Sequence, residues 1–80
     1  MQIKTGLYTH KNGNLYQVIG MGRHSETLEE LVVYQALYGS YGIWVRPVAM
    51  FLEQVDDGNG GTVQRFTYQG PGTNELPHLR

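Results

Sequence analysis

Thr27-Leu28-Glu29-Glu30-Leu31-Val32-Val33-Tyr34-Gln35-Ala36-Leu37-Tyr38 admits two readings, and the choice between them sets the fold class. Thr27 followed three residues later by Glu30 has the spacing of a capping box, where threonine bonds the first free amides and glutamate reaches back. A helix started there would put polar Gln35 in the apolar stripe of Leu28, Leu31 and Val32. Leu31-Val32-Val33-Tyr34 is instead β-branched and aromatic, and Gly39-Ser40-Tyr41-Gly42 supplies a turn within strand length. The segment therefore reads as a strand over residues 30–38.

Downstream of that turn, Ile43-Trp44-Val45-Arg46 reads as the next strand, with Ile43 and Val45 on one face and Trp44 and Arg46 on the other. Pro47 has no amide to give a ladder, and its fixed φ suits a helical start. Val48-Ala49-Met50-Phe51-Leu52 is expected to form one helical turn that plugs the core with Met50 and Phe51. A short strand over 53–55, a loop over 56–61 and a last strand over 62–68 follow, with Val63 and Arg65 set against Phe66 and Tyr68. Upstream, extended stretches over 6–10 and 15–21 flank Lys11-Asn12-Gly13-Asn14, where Asn-Gly predicts a hairpin with a primed turn. Leu7 and Thr9 then share one face and Tyr8 and His10 the other, while Tyr16 and Val18 oppose Leu15, Gln17 and Ile19.

These elements point to a mainly β fold, a small antiparallel SH3-like barrel of about five strands with one short helical turn, with an open α+β sheet as the alternative. Its 80 residues fit a single β domain over 1–69, followed by a flexible tail over 70–80 rich in Gly and Pro. No cysteine is present, which removes disulfides, thiolate metal sites and cysteine nucleophiles together. No apolar stretch has the length of a signal peptide or a membrane span, and a cytoplasmic location is expected. The formal net charge is −1, and Lys4, Lys11, Arg23, Arg46, Arg65 and Arg80 are scattered, so the basic stripe wanted by nucleic acid is missing. Near-neutral charge leaves little self-repulsion, consistent with a monomer or weak homodimer.

Gly6-x-Tyr8-x-His10-x-x-Gly13-x-x-Tyr16-x-Val18, His24-Ser25-Glu26-Thr27, Leu31-Val32-Val33-Tyr34-x-x-Leu37-Tyr38-Gly39, Trp44-Val45-Arg46-Pro47 and Met50-Phe51 occur in order. Together, over about residues 6–66, they resemble the bacterial family catalogued as domain of unknown function 1653. The resemblance implies a small, mostly β, SH3-barrel-like domain of bacterial origin, and it implies no established activity.

Among candidate sites, His24, Ser25 and Glu26 contain the atoms of a hydrolase triad. Neighbours in an extended chain face opposite ways, however, and no Gly-x-Ser-x-Gly elbow is present. His24 and Glu26 would share a face, and His10 could join them from a neighbouring strand as a two-His, one-carboxylate metal site of a small enzyme. The bland alternative is that His24, Glu26 and Thr27 tie down turn backbone. Gly20-Met21-Gly22-Arg23-His24-Ser25 faintly resembles a phosphate-binding loop, but no helix follows it and the glycines suit a bent strand; no cofactor is expected. The richer set is aromatic: Tyr8, Tyr16, Tyr34, Tyr38, Tyr41 and Trp44, with Arg46 on the Trp44 face. Such rings can line a shallow groove for a peptide or a stacked base, or simply pair across strands, with Arg46 lying over Trp44 as a cation–π contact. The expected reading is a non-catalytic module that binds a peptide or protein partner through Tyr8, His10, Tyr34, Trp44 and Arg46, with His24, Glu26 and Thr27 beside them.

Overall fold

The computed structural model describes residues 3–72. Its elements are β1 (Gly6–His10), β2 (Leu15–Arg23), β3 (Glu30–Ala36), β4 (Ile43–Pro47), α1 (Val48–Phe51), β5 (Gln54–Asp56), β6 (Thr62–Gln64) and β7 (Phe66–Gly70). Five strands form an antiparallel sheet in the order β4-β3-β2-β1-β7, and β5 pairs with β6 as a separate hairpin. The mainly β class is as expected, but the sheet does not close into a barrel: β4 and β7 are its two edges.

The decisive segment is a strand. β3 lies between β2 and β4, opposing Val32 to Met21 and Arg46, and Tyr34 to Val18 and Trp44. Val32 is fully buried and Tyr34 nearly so, the positions where β-branched and aromatic side chains gain most from a pleated surface. The strand ends at Ala36, short of Tyr38, because the Leu37 amide turns to the Leu15 carbonyl (3.0 Å) and Gly39 and Tyr41 adopt positive φ. Gln35 secures this turn by donating Nε2–H to the Tyr41 carbonyl at 2.9 Å.

The β1–β2 hairpin forms where Asn-Gly marks it, but with a different turn. Gly13 alone has positive φ there, its amide bonds the His10 carbonyl, and the His10 amide bonds the Asn14 carbonyl, both at 2.8 Å. This is the three-residue loop of a type I turn closed by a left-handed glycine, in place of the two-residue primed turn. At the far end, β2 runs on to Arg23, with a register shift between Val18 and Gly20 that lets the strand bend.

One face of the sheet carries Tyr8, Tyr16, Val18, Met21, Val32, Tyr34, Trp44, Arg46, Phe66 and Tyr68, as the cross-strand partners dictate. α1 closes part of that face. Phe51 is 2% exposed and is the plug, whereas Met50, expected beside it, is 46% exposed because a single turn points only one side inward. The last strand is broken at Arg65, whose amide bonds the Glu53 carbonyl at 3.0 Å while its carbonyl accepts from the Lys11 amide at 2.9 Å. That one residue carries the chain from the small hairpin to the main sheet, and its guanidinium pairs with the Glu53 carboxylate at 2.6 Å. Of the tail expected over 70–80, Gly70 instead closes β7, and residues 73–80 lie outside the described residues.

Candidate ligand site: an aromatic pocket beside the β4 edge

α1 covers only part of the aromatic face, and what it leaves open is a shallow pocket of about 230 Å³ lined by Tyr16, Tyr34, Tyr38, Trp44 and Arg46. Tyr16 sits on β2, Tyr34 on β3, and Trp44 and Arg46 on β4, all on the same face by register. Tyr38 comes from the loop after β3, held beside β2 by the Leu37–Leu15 backbone bond. The rings meet edge to face: Tyr16 lies 5.5 Å from Tyr34 and 5.6 Å from Tyr38 between centroids. Trp44 forms the outer wall and is 59% exposed, and Tyr38 is 43% exposed.

The polar atoms of the pocket are linked. The Tyr16 and Tyr38 hydroxyls share a 2.7 Å hydrogen bond, and Arg46 Nε–H donates to the Tyr34 hydroxyl at 3.3 Å. The Tyr16 phenol is pushed up to about 12, first by burial and then by its bond to Tyr38 and the charge Tyr38 would carry. The Arg46 guanidinium carbon stands 5.9 Å from the Phe66 ring centre, so its cation–π partner is Phe66 and not the Trp44 expected from sequence.

The expected site residues divide sharply. Tyr34, Trp44 and Arg46 meet in the pocket. Tyr8 belongs to the core, with its ring 5.3 Å from Phe51 and its hydroxyl bonded to the Lys4 carbonyl. His10 borders the aromatic cluster, 5.0 Å from Phe66 and 6.3 Å from Tyr16 between ring centres, with Nδ1 accepting from the Asn12 amide. Burial lowers the His10 pKa; Arg65, Arg46 and Lys11 add to that lowering and Asn12 opposes it.

His24, Glu26 and Thr27 lie elsewhere. His10 is at one end of the β1–β2 hairpin and His24 follows the other end of the nine-residue β2, a span of about 25 Å at strand rise. The proposed His10–His24–Glu26 cluster is therefore not assembled, and no group of three His, Asp or Glu placed to hold a metal occurs among the described residues. His24 Nδ1 instead accepts from the Glu26 and Thr27 amides, and Thr27 Oγ1 from that of Glu29. Thr27 thus stabilises a turn between strands, which Leu28 completes with a φ of 65°, while Glu30 opens β3. Tyr16 and Tyr38 stood in the aromatic set that could line a groove but not among the expected binding residues; the cue for Tyr16 was its place, three residues after Gly13, on the face opposite Leu15 and Gln17.

These features define a small, mainly β domain with an open aromatic pocket next to a sheet edge that pairs with no strand among the described residues. The chain belongs to the family described as protein of unknown function (DUF1653), which it matches over residues 6–68. It is similar to the crystal structure of a DUF1653 protein from Bordetella bronchiseptica, at 36% identity and a TM-score of 0.78, over 91% of this chain and 95% of that one. No curated protein matches the chain. No helix among the described residues is long and apolar enough to cross a membrane.

Proposed function

We propose that this domain is a non-catalytic binding module that recognises a peptide or protein partner through the pocket of Tyr16, Tyr34, Tyr38, Trp44 and Arg46. The observation that carries the reading is Trp44: the chain's single tryptophan stands more than half exposed, yet walls a concavity instead of joining the core. Tryptophan, tyrosine and arginine are the residue types that dominate binding hot spots, the first two because they offer large contact area with few rotatable bonds and arginine because its planar guanidinium forks and stacks. The described residues that line the pocket are rings and one guanidinium, with no Ser, His, Asp or Glu among them to act as nucleophile or general base.

Selection from a random peptide display library tests this directly. The wild-type domain should enrich a recurring sequence, binding should shift Trp44 fluorescence, and Trp44→Ala should lose capture while unfolding at nearly the wild-type temperature. Enrichment that is equal for wild type and Trp44→Ala would refute it.

A further inference from the structure

The outer side of β4 pairs with no strand among the described residues, and its backbone polarity can be read from the register. The Ala36 amide bonds the Gly42 carbonyl, so positions 36 and 42 face each other in the hydrogen-bonded phase of the antiparallel ladder. Alternation then makes Tyr34–Trp44 and Val32–Arg46 the bonded pairs, whose amides and carbonyls point into the sheet. The amides and carbonyls of Ile43 and Val45 consequently point outward, and Pro47, next in that phase, has no amide to offer. Along the same edge, the Trp44 and Arg46 side chains rise on the pocket side.

The pocket beside this edge is rich in donors. Tyr34 oxygen accepts from Arg46 Nε, which leaves its own hydroxyl hydrogen free to point elsewhere. Whichever of the Tyr16 and Tyr38 hydroxyls accepts their shared bond likewise keeps a hydrogen to give. Among the described residues the terminal nitrogens of Arg46 have no partner and no carboxylate lines the pocket. A carboxylate complements this set, because it only accepts and matches the guanidinium fork.

Resting on the proposed binding role, we infer that the partner is an extended acidic peptide segment that adds as a sixth strand to β4, hydrogen-bonded to Ile43 and Val45, and turns an Asp or Glu side chain onto Arg46 and the tyrosine hydroxyls. In such strand addition the backbone bonds give affinity and alternate side chains give specificity. The residue opposite Arg46 carries the acid, and its neighbour two positions away lies against the Trp44 ring, since both project on the pocket face.

The test uses the full chain labelled with ¹⁵N and two libraries of end-capped nine-residue peptides, one with Glu fixed at the central position and one with Gln there. The Glu library should bind at least tenfold more tightly, shift the Trp44 indole resonance, and slow hydrogen exchange of the Ile43 and Val45 amides while leaving the Trp44 and Arg46 amides unchanged. Arg46→Gln should abolish the preference for Glu yet keep the added protection at Ile43 and Val45. Binding that moves Trp44 without protecting Ile43 and Val45, or that ignores Glu against Gln, overturns this inference and leaves the binding role standing. Binding of neither library, with the Trp44 indole unmoved, overturns both. Protection of Ile43 and Val45 in the protein alone that disappears on dilution would give the edge to a second copy, and protection lost on removing residues 73–80 would give it to that segment; either overturns the inference.

Discussion

The ring of Phe51 lies flat on that of Phe66, with centroids 4.2 Å apart and planes within 4° of parallel, whereas nearly every other aromatic pair in the cluster meets edge to face. This stack joins the one-turn helix to the edge strand β7. Phe51→Ala removes the plug and leaves a void that the sheet cannot close. It should cost about 3–5 kcal/mol, most of the stability of a domain this small, and Phe51→Leu should cost less than half of that, as read by urea denaturation.

Two glycines separate tight contact from mere flexibility. A Cβ on Gly6 would fall 2.3 Å from the Gly70 carbonyl oxygen, and the residue holds a φ of +133°. Gly6→Ala should destabilise by at least about 2 kcal/mol, since the obstruction is backbone and cannot rotate away. Gly20 has ordinary φ and nothing within 4 Å of its virtual Cβ, so Gly20→Ala should move the midpoint by no more than about 1 kcal/mol in either direction.

Burial of the Tyr16 phenol, reinforced by its bond to Tyr38, makes stability fall at high pH. The folded state keeps the Tyr16 proton up to about 12, while the unfolded chain releases it near 10.0. Between those values the unfolded state binds fewer protons, so this contribution is whole below pH 10.0 and is lost as pH rises through about 12. Tyr38→Phe removes the hydrogen bond and the charge, and should bring the Tyr16 titration back toward 10.0 in ¹³C-detected NMR of the tyrosine ring.

His10 works in the opposite range. Its pKa is lowered from 6.5, chiefly by burial, so the unfolded chain takes up a proton at a pH where the folded one resists. Its contribution is complete above 6.5 and is lost as pH falls through the depressed folded value. Thermal melts of wild type and His10→Gln across mildly acidic pH should diverge in that window, with only the wild type showing this component.

The strands were legible because their signals were local. Val32 and Val33 outweighed the Thr27–Glu30 capping box, since β-branched residues at the sheet centre gain burial that an exposed helix start could not match. Alternation also placed Trp44 and Arg46 together correctly, because period two follows directly from the pleat. Three features escaped. Whether the sheet closes depends on β4 meeting β7, a long-range pairing with no local mark. The separation of His10 from His24 depends on β2 running unbroken through Gly20 and Gly22, where glycine allowed a bend but did not end the strand. Tyr38 joined the pocket through a loop fixed by the Leu37 and Gln35 hydrogen bonds, which composition does not announce.

Leu7 opposite Gly70 means that the last pairing of the sheet must bring together positions about sixty residues apart, a search whose entropic cost grows with the logarithm of the intervening length. Rewiring the polypeptide so that residue 72 runs through a short linker into residue 3, with new ends opened between Gly58 and Gly60, would turn that distant encounter into a hairpin. The permuted molecule should reach the same architecture faster, because topology sets folding speed through how local the contacts are.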